Sequence, residues 1–404
     1  MATLVPFRAL RPRPSDAARI AAVPYDVVNT EEARALASGN PLSFLHISRA
    51  EIDLPAGTDV HSNEVYDKAV ENFAALKTQA PLVMEDVPSA YVYRLRMGSH
   101  LQAGIAACYS VAEYESNVIK KHEYTRRDKE DDRTRHMLDL RAQTGPVFLT
   151  YRASSAVDAL VDRATSGRPL FDFEAADGVQ HTIWQIQPDA KSDLAAAFRA
   201  IPALYIADGH HRAASAARVA QQLRQTSGGG EWETFLGVAF PHNQVQVLPY
   251  NRVVKSLGSH TPQSFLAELR KHFTVKQGPP VRVRKGEVAM FLDGCWHTIE
   301  LTVPREGLAQ ADPLDVTRLQ EVILTPLLGI LDPRTDPRID FVGGARGTAA
   351  LEELVRSGNA AVAFSLHPVS VSDLMAICDA GGIMPPKSTW FEPKLRDGLL
   401  SHVI

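Results

Sequence analysis

Ala203-Leu-Tyr-Ile-Ala-Asp-Gly-His-His-Arg212, continued without a break by Ala213-Ala-Ser-Ala-Ala-Arg-Val-Ala-Gln-Gln-Leu-Arg224, decides how this chain is read. Five mostly apolar residues suit a buried strand, and the alanine-rich stretch after Arg212 has strong helix propensity. Between them Gly209 allows a backbone geometry that a Cβ would obstruct. The whole reads as strand, tight turn and helix, with a polar cluster at the helix N-terminus. Unpaired backbone N–H groups and the positive end of the helix dipole favour an anion there, and Arg212 can add a bidentate contact to phosphate or carboxylate. Asp208, His210 and His211 place acid–base or metal-binding groups beside that anion hole. The alternative is an N-cap Asp flanked by solvated histidines. An uninterrupted polar and glycine run between two apolar elements favours a functional site over it.

Length and composition bound what this motif can serve. The 404 residues are 45% hydrophobic and 22% charged, ordinary for a soluble globular protein and too long for one compact core. Two domains, or one elaborated one, are expected. A net charge of −4 and a pI of about 6.4 leave no global positive field for a nucleic-acid backbone or an anionic membrane. Neither is an expected partner, whereas a small phosphorylated ligand needs only a local basic pocket. Cys108, Cys295 and Cys378 are widely spaced in apolar contexts, which suits reduced, packed thiols. Residues 1–14 carry Arg8, Arg11 and Arg13 but no apolar leader core, and no later window approaches a spanning helix. A cytoplasmic location is expected.

Strand-like and helix-like segments alternate along the chain without a detectable repeat. Residues 21–28 read as extended, since Pro24 forces its predecessor out of the helical region. A short capped helix follows over 30–37, and 66–78 is amphipathic at helical spacing. Residues 90–96 and 102–111 alternate as a strand pair, 226–230 is an exposed loop, and 235–240 a buried strand. After Tyr250 the pattern restarts with a helix, a hairpin over 287–303, and long helices around 314–331 and 348–357. A boundary near 255 follows, with regions 1–255 and 256–404.

Two further clusters carry chemistry-bearing residues. Ile119-Lys-Lys-His-Glu-Tyr-Thr-Arg-Arg-Asp-Lys-Glu-Asp-Asp-Arg133 leads into a helix containing His136. A charge run is commonly a solvated helix face. Here it lies between apolar segments, and Lys or Arg for phosphoryl oxygens with carboxylates for a cation is what a phosphate site requires. Gly382-Ile-Met-Pro-Pro-Lys-Ser-Thr-Trp-Phe-Glu-Pro-Lys394 fixes an extended loop through its prolines and presents Lys387, Ser388, Thr389 and Lys394 on rigid backbone. A packed strand with surface lysines is the alternative there.

With Pro24-Tyr-Asp-Val-Val28, Asn40-Pro-Leu-Ser-Phe44, Lys120-Lys-His-Glu123, Gln143-Thr-Gly-Pro146, Asp208-Gly-His-His-Arg212 and Met384-Pro-Pro-Lys-Ser-Thr389, the sequence resembles, along nearly its whole length, the bacterial and archaeal family termed domain of unknown function one-thousand-and-fifteen. More narrowly, a strand, then Asp-Gly-His-His-Arg, then an alanine-rich helix is similar to the nucleotide-binding turn of the ParB/sulfiredoxin superfamily, above all its free-serine kinases. That resemblance implies an α+β, mixed α/β fold: a ParB/sulfiredoxin-like nucleotide-binding core with an N-terminal elaboration over 1–255, and an additional α/β domain over 256–404 whose end returns to the site. It implies that the helix N-terminus and Arg212 hold nucleotide phosphates and that Asp208 takes part in catalysis. The helix-turn-helix DNA reader and basic surfaces of ParB proper are not found in this sequence.

The expectation is a cytoplasmic phosphotransferase that moves a phosphoryl group from ATP or ADP, with Mg2+, to a small hydroxylated metabolite, L-serine favoured. Asp208 orients or deprotonates the acceptor hydroxyl or holds magnesium, and Glu123, matched by residue type beside His122, fills whichever role remains. Asp132 joins them as a metal ligand. His122, His210 and His211 are further catalytic candidates. Gly209, His211, Arg212, Lys120, Lys121, Arg126, Lys387, Ser388 and Thr389 are the expected nucleotide contacts. A phosphatase acting on phosphoserine and a nucleotide-sensing regulator without turnover are the alternatives. A homodimer is possible.

Overall fold

The computed structural model describes residues 1–278, 283–301 and 314–404. Leu204–Asp208 lies one strand in from the edge of a nine-stranded mixed sheet. The order across the sheet is Ile119–Lys120, Leu204–Asp208, Val147–Tyr151, Thr234–Pro241, His100–Ser110, Tyr91–Met97, Gln180–Gln185 and Phe171–Glu174, with Leu4–Val5 also pairing with His100–Ser110. Two pairings are parallel, Leu204–Asp208 with Ile119–Lys120 and Thr234–Pro241 with Val147–Tyr151. The remainder are antiparallel.

The alternation predicted for 90–96 and 102–111 and the apolar run at 235–240 become the central strands because their side chains are buried on both faces. Helix His210–Ser227 turns Ala213, Ala216, Val219 and Ala220 onto the sheet, where they meet Leu149, Ile206 and Phe235. Small residues along that stripe let the helix lie close to the strands. A second apolar cluster of Ile20, Phe44, Leu45, Phe73 and Leu76 forms beneath the helix Asn63–Gln79, the amphipathic segment expected over 66–78. Between them, residues 21–28 are not extended throughout: Tyr25–Val27 forms a turn of 3₁₀-helix after Pro24. The short helix expected over 30–37 forms as Thr30–Ala37 and is capped by Asn29 and Glu32 in a reciprocal capping box.

Two compact units divide the chain, Met1–Val245 with Pro393–Ile404, and Gln246–Glu392. This differs from a single cut after 255. Tyr250–Val254 pairs with Ile339–Gly343 and Val362–Leu366, so it belongs to the second sheet. Ser401–Val403 pairs with Ala9–Arg11 and Ala142–Gln143, so the chain after Glu392 belongs to the first unit. The second unit is an antiparallel six-stranded sheet in the order Val275–Gln277, Cys295–Glu300, Glu287–Leu292, Val362–Leu366, Tyr250–Val254, Ile339–Gly343. The hairpin expected over 287–303 is present through residue 301, and its last two residues lie outside the described residues. The long helix expected around 314–331 is broken. Asp315–Leu319 widens into a π turn over Gln320–Leu324 before Thr325–Leu328, because Pro326 carries no N–H for a regular ladder. Among the described residues no helix is long and apolar enough to cross a membrane.

Pro393–Ile404 is anchored by paired backbone hydrogen bonds between Asp397 and Ala22 and by Gly398 N–H donating to the Thr144 carbonyl. Gly398 sits at φ +83°, and a Cβ there would lie 2.7 Å from Cγ of the buried Phe44 ring. Gly398→Ala should therefore combine left-handed strain with overpacking and lower stability by roughly 1–3 kcal/mol. Chemical denaturation of the variant beside the parent checks this, and an unchanged midpoint would show that the segment is not held as tightly as its contacts indicate.

Candidate active site

The register slips between Ile206 and Asp208 where the strand runs against Val147–Tyr151, and this irregularity re-aims Asp208 at the strand's C-terminal end. Gly209 then takes φ +90°, and a Cβ on it would lie 2.9 Å from the Arg212 guanidinium carbon. Only glycine satisfies both constraints, which accounts for the abrupt passage from strand to helix at His210.

Arg212 points inward rather than to solvent. Its side chain is 5% exposed, donates from Nη1 to the Pro146 carbonyl, and brings Nη2 to 3.6 Å from Asp208 Oδ2. Lys394, carried in by the returning segment, donates from Nζ to the same oxygen at 3.3 Å. Burial by itself would raise the Asp208 carboxyl, but Lys394 and Arg212 outweigh it and hold the group well below the usual carboxylate range. Asp208 is thus a fixed negative charge between two cations.

Asp397 behaves in the opposite way. Its side chain is buried, and Oδ1 has no hydrogen-bond partner. Burial pushes the carboxyl up to about 7 against the pull of Arg212. Gly145 is required opposite it, since a Cβ there would lie 2.7 Å from Asp397 Oδ1. The neighbouring Gln143 is structural: it donates to the Thr234 carbonyl at 3.0 Å and accepts from Leu236 N–H at 2.7 Å, tying the turn to the central strand.

Parallel pairing of Ile119 with Leu204 and Lys120 with Tyr205 brings the next residues, 121–123, to the same sheet end as Asp208. The rings of His122 and His210 meet edge to face with centroids 4.4 Å apart, and His210 Nε2 accepts a 3.4 Å hydrogen bond from His122 N–H. Neither ring nitrogen of His122 has a hydrogen-bond partner, although the Ile206 backbone lies beside the ring. Burial lowers His122 to about 4 and takes His210 well below its ordinary value, so both imidazoles are neutral at pH 7. His122, Glu123 and His210 offer one ligand atom each, all within 4.8 Å of one another. Among the described residues they are the one such group of three or more His, Cys, Asp or Glu.

The charge run after Glu123 divides among several partners. Arg126 N–H donates to His211 Nε2 at 3.0 Å, which sets the exposed Arg126 side chain beside the helix start, where it pairs with Asp128. Arg218 pairs with Glu130 and Asp131, locking Arg127–Leu140 against His210–Ser227. Asp132 turns elsewhere: it accepts from Tyr66 Oη at 2.8 Å and from Arg133 Nε at 2.7 Å, and does not join Glu123 in a ligand group. Arg133 lies 4.2 Å over the Tyr25 ring. Two narrow clefts share Tyr25, Ser48, Arg133 and His136 in their walls, and the second is also lined by Thr144, Gly145, Arg212 and Asp397.

The structure thus gathers Asp208, Gly209, His210, His211, Arg212, His122, Glu123 and Arg126 at one end of the sheet. Lys120 sits on the edge strand, and Lys121 is directed at Tyr114, donating to its carbonyl at 3.0 Å with Nζ 4.1 Å over its ring. Lys387, Ser388 and Thr389 belong to the second unit, where Ser388 Oγ donates to the Pro385 carbonyl at 2.6 Å and Lys387 lies 5.6 Å over the Tyr250 ring. The sequence groups Lys394 with them and presents Tyr25 and Arg133 only within larger motifs, while Asp397 lies outside every motif. The Asp397-Gly398 pair, a turn signal, was the available clue.

No curated protein matches the chain. Among solved structures, SbnI with C-terminal truncation from Staphylococcus aureus is 10% identical over 74% of this chain and 87% of its own, with a TM-score of 0.39. A free serine kinase in complex with AMP is 14% identical over 73% and 91%, with a TM-score of 0.37. A conserved hypothetical protein from Pyrococcus furiosus is 14% identical over 73% and 94%, with a TM-score of 0.36. Residues 4–320 match the model described as protein of unknown function (DUF1015), and by that match over most of its length the chain belongs to the DUF1015 family.

Proposed function

We propose that the chain is a nucleotide-dependent phosphotransferase acting on a small hydroxylated metabolite, with free L-serine, converted to O-phosphoserine, as the favoured acceptor. The observation that carries this reading is the charge arrangement at the head of His210–Ser227: Asp208 held ionised between Lys394 and Arg212, next to Glu123 and two neutral histidines. Phosphoryl transfer asks chiefly for positioning and for neutralisation of spread charge, and fixed cations beside fixed carboxylates supply both. In this reading the strand, Gly209 and helix are a ParB/sulfiredoxin-like core, and nucleotide phosphates lie at the backbone N–H groups of the helix start with Arg126 as the exposed cation. Arg212 acts from behind as a fixed charge.

Two carboxylates then take different parts. Asp208, with its lowered pKa, is a weak base and serves to position and balance charge. Asp397, raised to about 7 in the wall of the second cleft, is matched to proton transfer near neutrality. The acceptor's hydroxyl oxygen attacks the terminal phosphorus of ATP or ADP, the bond to the leaving nucleotide oxygen breaks, and the hydroxyl proton passes to the Asp397 carboxylate. Arg133 in the same cleft suits the carboxylate of an amino-acid acceptor.

Incubation of the purified chain with L-serine, Mg2+ and ATP or ADP, followed by mass spectrometry, should yield O-phosphoserine in step with nucleotide consumption. Asp208→Asn, nearly isosteric, removes a fixed charge and should lower the rate by about 10²–10³-fold, with circular dichroism reporting the fold. Phosphate released from phosphoserine without nucleotide would instead establish a phosphatase, and a thermal shift with nucleotide but no turnover a sensor. A base must be deprotonated to act, so kcat/KM should rise as pH passes through about 7. Asp397→Asn should lower kcat/KM and remove that limb, and a variant that kept the parent profile would assign the proton to another group.

A further inference from the structure

We propose that His122, Glu123 and His210 bind one divalent transition-metal ion of the zinc class. Imidazole nitrogen suits zinc, cobalt and nickel, whereas magnesium favours an octahedron of oxygens, so the donor set here selects against the ion usual for nucleotide chemistry. The strand Ile119–Lys120 ends just before the pair, which releases His122 and Glu123 from the strict alternation of strand side chains. His210 follows directly on the Gly209 turn and is delivered to the same place from the other chain segment.

A second observation points to a ligand. His122 is 1% exposed, yet both its ring nitrogens are without hydrogen-bond partners. Leaving an imidazole buried and unpaired is costly, and a metal ion satisfies one nitrogen outright. Tetrahedral ligation at about 2.0–2.1 Å places ligand atoms roughly 3.4 Å apart. The ligand atoms lie within 4.8 Å of one another, so ligation needs a modest contraction of the group. Three protein ligands leave a fourth position for water or a ligand oxygen, the arrangement of a working site rather than a closed structural one. Asp208 acts electrostatically on both imidazoles and favours a cation between them.

The inference is independent of the phosphotransferase reading, since its test uses neither nucleotide nor acceptor. Tag-free, metal-stripped protein should take up about one equivalent of Zn2+ by calorimetric titration, and Co2+ should develop visible d–d bands typical of four- or five-coordinate nitrogen and oxygen ligation. Glu123→Gln and His122→Ala should each weaken zinc binding more than about tenfold, with circular dichroism reporting the fold. His272→Ala, at an exposed histidine of the second unit, should leave it unchanged. Zinc uptake indifferent to both ligand substitutions, or displaced by an equal concentration of Mg2+, would overturn the proposal. Glu123→Gln keeps the test decisive if the buried His122→Ala chain fails to fold.

Discussion

A guanidinium taken out of water holds the first unit's polar centre together. Arg212 is buried, and its charge is answered by the Pro146 carbonyl, by Asp208, and electrostatically by Asp26 and Asp397. Removing one partner from such a set typically costs about 3–5 kcal/mol, because the charge that remains is stranded without solvent. Each partner lies on a different piece of chain: the 3₁₀ turn after Pro24, the turn at 144–146, the strand Leu204–Asp208, and Pro393–Ile404. Those pieces are therefore held in register by electrostatics as well as by the apolar core beneath them.

That constraint explains why the two aspartates beside Arg212 differ so strongly. Asp208 receives a second cation, Lys394, and remains charged. Asp397 is more deeply enclosed, with one oxygen unpaired, and its proton is held more tightly. Two carboxyls flanking one arginine are thereby driven toward opposite protonation states, the pattern by which one site can offer both a fixed charge and a proton acceptor. The histidines follow the same logic, as burial keeps both imidazoles neutral.

Much of this was legible in the sequence. The apolar run, the glycine and the alanine-rich stretch specify strand, turn and helix through local propensities, which need no knowledge of the rest of the chain. The meeting of His122 and Glu123 with His210 was suggested only by residue type, because a parallel pairing between residues 119–120 and 204–205 leaves no local mark. The direction of Arg212 was hidden for a related reason. An arginine at a helix start looks the same in sequence whether it faces solvent or a buried carbonyl, and the deciding atoms belong to Pro146 and Asp208. The partners of Asp132 were hidden likewise, since Tyr66 lies far from it in sequence and nothing local marks the pairing. The boundary near 255 falls after Gln246–Leu248 and Tyr250–Val254, because the residues of a strand do not by themselves show which sheet it will join.

Lys394 and Asp397 reach the site only after the chain has passed through Gln246–Glu392. Synthesis is vectorial, so when Asp208 and Arg212 leave the ribosome their later partners are still unmade, and the whole of Gln246–Glu392 must first be added. During that interval, at roughly 5–20 residues per second, Asp208 lacks its lysine. Closing a contact across such a separation also carries a loop-entropy cost that grows with the logarithm of its length. The contacts of Lys394 and Asp397 with this polar centre therefore form only once the chain beyond Glu392 has been made.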